Sequence, residues 1–94
     1  SQPEIETMRF IQRARNLGFT IKDVCELVDL WHDQHRTSAQ VKSLTQRHIH
    51  EIEIKLKELE SMRHTLVTLS DKCHGDDRPD CPILEDLASL NNGN

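Results

Sequence analysis

From Ala39 to Asp71 the chain runs without a glycine or a proline, and most of its residues there are good helix formers. A helix of about 33 residues at 1.5 Å each would extend roughly 50 Å. Along it Ile52, Leu56, Leu59, Met62, Leu66 and Leu69 recur at spacings of three and four, the pattern of a coiled-coil seam. Burying those side chains is worth roughly 9–18 kcal/mol gross, at about 1.5–3 kcal/mol each. A chain of 94 residues cannot wrap so long a helix and hide its stripe. A partner helix is the simplest cover, so a homodimer is expected. Thr45, His48 and Lys55 intrude near the seam, and neither register nor strand direction can be read from heptads alone.

The flanking segments also read as helices, which makes the fold class all-α. Ser1-Gln-Pro-Glu4 has the form of a capping box, and Ile5, Met8, Ile11 and Ala14 keep helical spacing to about Asn16. Gly18 stands where that helix would stop, and Thr20 with Asp23 can open the next. The second helix carries Ile21, Val24, Cys25, Val28 and Trp31 on one stripe, which predicts Cys25 to be a small buried core residue. His32 to Arg36 reads as a polar break, after which Thr37 or Ser38 caps the long helix. Beyond Cys81, Pro82 takes the first position of a short helix reaching about Leu90, with Ile83, Leu84, Leu87 and Leu90 apolar. The tail, 91–94, is expected to be disordered.

Composition narrows the function classes. Apolar residues make up 35% of the chain and charged residues 30%, which favours elongated helices over a large core. A net charge of −4 argues against this stretch alone gripping a nucleic-acid backbone. Arg9, Arg13 and Arg15 form a small basic cluster on the first helix, either a solvated face or a phosphate contact in an intact parent. The three cysteines are an odd number, with no signal peptide and no apolar run near 18 residues, so a reduced cytosolic protein is expected. The chain starts at Ser1 rather than methionine, which reads as a piece of a longer protein. No Ser/His/Asp or Cys/His catalytic arrangement and no glycine-rich phosphate loop is apparent, and an enzyme is not expected.

Chemistry concentrates in Cys73-His-Gly-Asp-Asp-Arg-Pro-Asp-Cys81-Pro82. Gly75, Asp76, Asp77, Pro79 and Asp80 suit neither a strand nor a helix interior, so the segment is a loop bracketed by two thiols. Paired thiolates select soft ions, and Cu(I), Ag(I) and Au(I) accept two sulfurs in line. Two thiolates with one monovalent cation leave a net negative charge that needs compensation. The start of the Pro82 helix and Lys42, one turn after Ser38, are two sources of it. Zinc competes but normally takes four ligands, and His74 beside Cys73 would make a strained chelate. His32, His35, His48, His50 and His64 read as solvated or structural.

Taken in order, Arg13-Ala-Arg-Asn-Leu-Gly-Phe19, Glu26-Leu-Val-Asp-Leu30, Ser38-Ala-Gln-Val-Lys42, Glu58-Leu-Glu-Ser-Met-Arg63 and Cys73-x7-Cys81-Pro-Ile-Leu resemble the MerR family of transcription regulators, and most closely its copper-responsive (CueR-like) branch. The resemblance covers essentially residues 1–90. It implies that residues 1–31 are the C-terminal helices of the DNA-binding half, without the N-terminal winged helix-turn-helix region. It further implies that 37–71 is the dimerisation helix of an antiparallel coiled coil, and 72–90 the metal-binding loop and its short helix. Cys73 and Cys81 would be the metal ligands. Ser38 and Lys42 of one chain would lie over that pair in its partner, with Pro82 beside it. Relatives that sense divalent mercury, zinc or lead carry a cysteine where Ser38 stands, so a serine matches sensors of Cu(I), Ag(I) or Au(I), one ion per protomer.

By the same resemblance the parent is a bacterial cytoplasmic activator that stays on promoter DNA and, on metal binding, distorts it for RNA polymerase. No membrane partner is implied. Two other functions are carried forward: a divalent-metal sensor of the same family that recruits His74 or an aspartate, and a coiled-coil adapter or thiol redox module.

Overall fold

The computed structural model describes residues 1–89 and is helical: α1 (Gln2–Asn16), α2 (Ile21–His32), α3 (Ser38–Lys72) and α4 (Pro82–Ala88). Among the described residues there is no strand, and no helix is long and apolar enough to cross a membrane. The chain divides into two units, Ser1–Ile52 and Glu53–Asn94. α3 contributes its first part to one and its second part to the other.

In the first unit, local chemistry defines each helix end. The Ser1 amino group meets Glu4 Oε2 at 3.3 Å, so an acid stands at the positive end of α1 and Arg13 and Arg15 at its negative end. α1 stops in a Schellman turn: Phe19 N donates to Ala14 O at 3.2 Å, and Gly18 N to Arg15 O at 2.9 Å. That turn needs a left-handed residue, and Gly18 supplies it at φ +88°. Thr20 Oγ1 accepts from Asp23 N at 3.1 Å and starts α2. At the head of α3, Gln40 N donates to Thr37 Oγ1 at 3.3 Å and Thr37 N to Gln40 Oε1 at 2.9 Å, a reciprocal box. Thr37 is therefore the cap, and Ser38 is already helical.

The core is small. Ala14, Phe19, Val24 and Leu44 are buried together, with Ile11, Leu27, Val28 and Leu30 packed against them. Phe10 and Trp31 stack almost parallel, centroids 4.4 Å apart, and bind α1 to α2. Two expectations for α2 are corrected. Its buried side runs through Val24, Leu27, Val28 and Trp31, while Cys25 is exposed and Ile21 is 70% exposed. At 3.6 residues per turn Cys25 sits about 100° around from Val24, which carries it off that stripe.

The second unit buries much less. Of the seam residues only Leu69, at 6%, is buried, whereas Leu56, Leu59, Met62 and Leu66 are all more than half exposed. Cys73, Cys81, Pro82, Ile83 and Asp86 are half-buried beyond the helix end, and α4 leaves Leu84 and Leu87 outward. α4 stops at Ala88, earlier than the expected Leu90; that residue and the tail lie outside the described residues.

Gly18→Ala is expected to destabilise the first unit by about 1–2 kcal/mol, the cost of a side chain in left-handed backbone. Its Cβ would also lie 3.3 Å from His48 Nε2. A lower midpoint in urea denaturation followed by circular dichroism checks this.

Candidate metal centre

The Cys73–Cys81 loop begins as α3 unwinds. Cys73 N still donates to Ser70 O at 3.1 Å, so the first thiol is attached to the final helical turn. Gly75 then takes φ +66°, with open space where a Cβ would stand. Asp76 folds the middle of the loop onto itself: its Oδ1 accepts from Arg78 N at 2.9 Å, and its Oδ2 from Arg78 Nε at 2.8 Å. Cys81 is the N-cap residue of α4, extended at φ −141° and ψ 97°. Its carbonyl accepts from Glu85 N at 3.0 Å, and Pro82 follows at the first helical position, where a missing N–H costs nothing. Each thiol is thus carried on the end of a helix, with a short self-bonded turn between.

Both thiols are free and half-buried. Paired soft donors of that kind suit a thiophilic ion. His74 is exposed next to Cys73. Among the described residues no three His, Cys, Asp or Glu side chains gather into a group that could hold a metal. One chain therefore brings two thiols to the loop and no ready third donor. Pro82 is half-buried against Cys81, while Ser38 and Lys42 lie exposed on the first turns of α3, in the first unit.

The basic cluster of α1 does not act as one group. All three are exposed, but Arg15 Nη1 donates to Phe19 O at 2.7 Å, which commits that guanidinium to the α1–α2 turn, a bond that Arg9 and Arg13 do not make. His48, read from the sequence as solvated or structural, is structural. Its Nε2 lies 2.8 Å from Leu17 O, and its ring stacks on Phe19 at 4.2 Å. Next to it, Arg47 Nη2 reaches Asp23 Oδ1 at 3.3 Å and Glu26 Oε2 at 3.8 Å. Nothing local marks these residues, because their partners lie more than twenty residues away.

A family model described as "MerR, DNA binding" matches residues 5–69, which takes in nearly all of α1, all of α2 and most of α3. The chain is 46% identical over 86 residues to "Heavy metal-dependent transcription regulator 2" of Rhizobium meliloti, covering 92% of this chain and 58% of that protein. It is 47% identical over 85 residues to the transcriptional regulator HmrR of Sinorhizobium medicae, covering 90% and 58%. With the transcriptional regulator CueR of Escherichia coli O6:H1 it shares 41% identity over 88 residues, covering 94% and 65%. The chain thus spans about three fifths of the length of these relatives. At nine tenths or more of this chain, the similarity runs through the cysteine loop as well as the helices.

The differing burial of the thiols has a direct readout. Under brief alkylation of the reduced protein, Cys25 is expected to react several-fold faster than Cys73 or Cys81, because it is exposed and they are half-buried. Peptide mass spectrometry over a time course reads the order.

Proposed function

This chain belongs to the MerR family of transcription regulators, and on that premise we propose that it is the effector-binding and dimerisation part of an activator that senses Cu(I), Ag(I) or Au(I). Cys73 and Cys81 are the ligands. What supports this reading is the pair of free, half-buried thiols held at the ends of α3 and α4, with no third donor gathered among the described residues. That donor set suits an ion content with two sulfurs, whereas zinc normally demands four ligands. The bound ion supplies positive charge that lets two thiolates share one loop. Lys42 and the backbone amides around Pro82 offset the charge that remains.

The exposed seam supports a homodimer. Leu56, Leu59, Met62 and Leu66 form a stripe that the chain does not cover, and a second copy offers the same stripe. By the family resemblance the two long helices pair antiparallel, which brings Ser38 and Lys42 of one chain to Cys73 and Cys81 of the other. Arg9 and Arg13 are the phosphate contacts of the intact regulator, which acts on promoter DNA and RNA polymerase in the bacterial cytoplasm. Metal then works by population shift, since it binds one of two conformers better.

Two experiments test the reading. The reduced protein, titrated with Cu(I) against a strong competing chelator, is expected to take one ion per chain. Affinity should fall by several orders of magnitude in Cys73→Ser and in Cys81→Ser, with Zn(II) bound far more weakly. Comparable zinc binding would make this a divalent sensor, and a metal-independent response to oxidant a redox switch. Separately, Leu59→Lys is expected to raise the dimer dissociation constant at least a hundredfold in analytical ultracentrifugation, by placing like charges in an apolar seam.

A further inference from the structure

The turn between α1 and α2 is held by side chains from α1 and α3 as well as by its own backbone. Its Schellman bonds close it from within. Arg15 Nη1 caps the Phe19 carbonyl at 2.7 Å, and His48, from α3, reaches the Leu17 carbonyl at 2.8 Å. A carbonyl only accepts, so the His48 ring donates from Nε2. Nδ1 is buried with no hydrogen-bond partner, and the nearest charged group is the Glu51 carboxylate, with Oε2 3.8 Å away. The His48 side chain is only 11% exposed. The ring fits closely as well as bonding, since a single added carbon on Gly18 would come within 3.3 Å of Nε2. The adjacent Arg47 holds the first turn of α2 through Asp23, a carboxylate that is itself only 13% exposed.

We propose that His48, steadied by Arg47, is the positioning residue through which α3 sets the α1–α2 turn, and that this clamp has a docked and a released setting. Docking joins a hydrogen bond and a ring stack to the cost of a buried, unpartnered Nδ1. Because gain and cost oppose each other within one side chain, a small displacement of α3 can change which setting is favoured. Release would free the Leu17 carbonyl and the Phe19 ring together, loosening the segment that orients α1 and its exposed Arg9 and Arg13. α3 is continuous from Ser38 to Lys72, so the helix that carries the clamp also leads directly into Cys73. That metal moves the clamp rests on the function proposed above; that the clamp sets the turn does not.

The test uses this chain, with amide hydrogen exchange read by NMR at Gly18 and Phe19 and, as internal reference, at residues 53–69. His48→Phe keeps an aromatic ring for the stack but has no donor; His48→Gln keeps an N–H donor but loses the ring. In the absence of metal, exchange at Gly18 and Phe19 is expected to quicken at least tenfold in His48→Phe, to be largely restored in His48→Gln, and to stay unchanged at 53–69. Wild-type exchange in the variant lacking the donor would overturn the clamp. One equivalent of Cu(I), with uptake measured in the same samples, is expected to alter turn exchange in the wild type and not in His48→Phe that has taken up the ion. A turn response that persists in His48→Phe, or none in a wild type that has bound Cu(I), would overturn its regulatory part. Absence of Cu(I) uptake would instead count against the metal reading, leaving the metal-free comparison to decide the clamp.

Discussion

A 35-residue helix whose apolar stripe its own chain leaves bare governs everything else in this molecule. Only Leu44 and Leu69 are buried along it. Elsewhere the helix offers more apolar surface than it receives cover, and each unit has to be held by something other than a large core. The first unit relies on helix caps, the Phe10–Trp31 and Phe19–His48 stacks and the polar contacts of Arg47 and His48. The second, among the described residues, relies on the buried Leu69 and a self-bonded loop. Contacts of that sort are individually worth about 1 kcal/mol or a little more, so neither unit has much stability to spare.

That economy explains what was legible in the sequence. Helix ends were, because they depend on residues within four positions: the glycine that turns left-handed, the threonine that caps α2, the proline that opens α4. The seam was legible because it is periodic. The α3 cap fell to Thr37 rather than Ser38, since Gln40 lies three residues after Thr37 and completes a reciprocal box only with it. Cys25 was misplaced for a different reason. The stripe through Ile21, Val24, Cys25, Val28 and Trp31 is rotated from the side α2 buries, where Asp23, Leu27 and Leu30 stand in place of Ile21 and Cys25. No local pattern says where around a helix the neighbouring helix will press.

The candidate site was legible in its chemistry and not in its architecture. Two cysteines around a turn-forming sequence point to a thiol pair whatever the fold. That Asp76 would bond both the backbone and the guanidinium of Arg78 does not follow from a list of loop-forming residues. Arg9, Arg13 and Arg15 looked equivalent by charge, and only the turn, by drawing Arg15 onto the Phe19 carbonyl, separates them. For His48 the sequence left two readings, solvated or structural, and did not choose between them. A histidine in the middle of a charged helix carries no mark of burial, and its partner Leu17 is 31 positions away.

The close approach of Gly18 to the His48 ring ties two distant positions into one unit of heredity. A side chain at 18 meets two separate obstacles, left-handed backbone and an imidazole in its way, and a smaller residue at 48 removes only the second. Asparagine, which tolerates the left-handed region better than most residues, addresses the first. Substitutions at either position would then be tolerated or rejected according to what stands at the other. Lineages should traverse the pair in order, with position 48 yielding before 18, so that the turn's glycine is the last of the two to change.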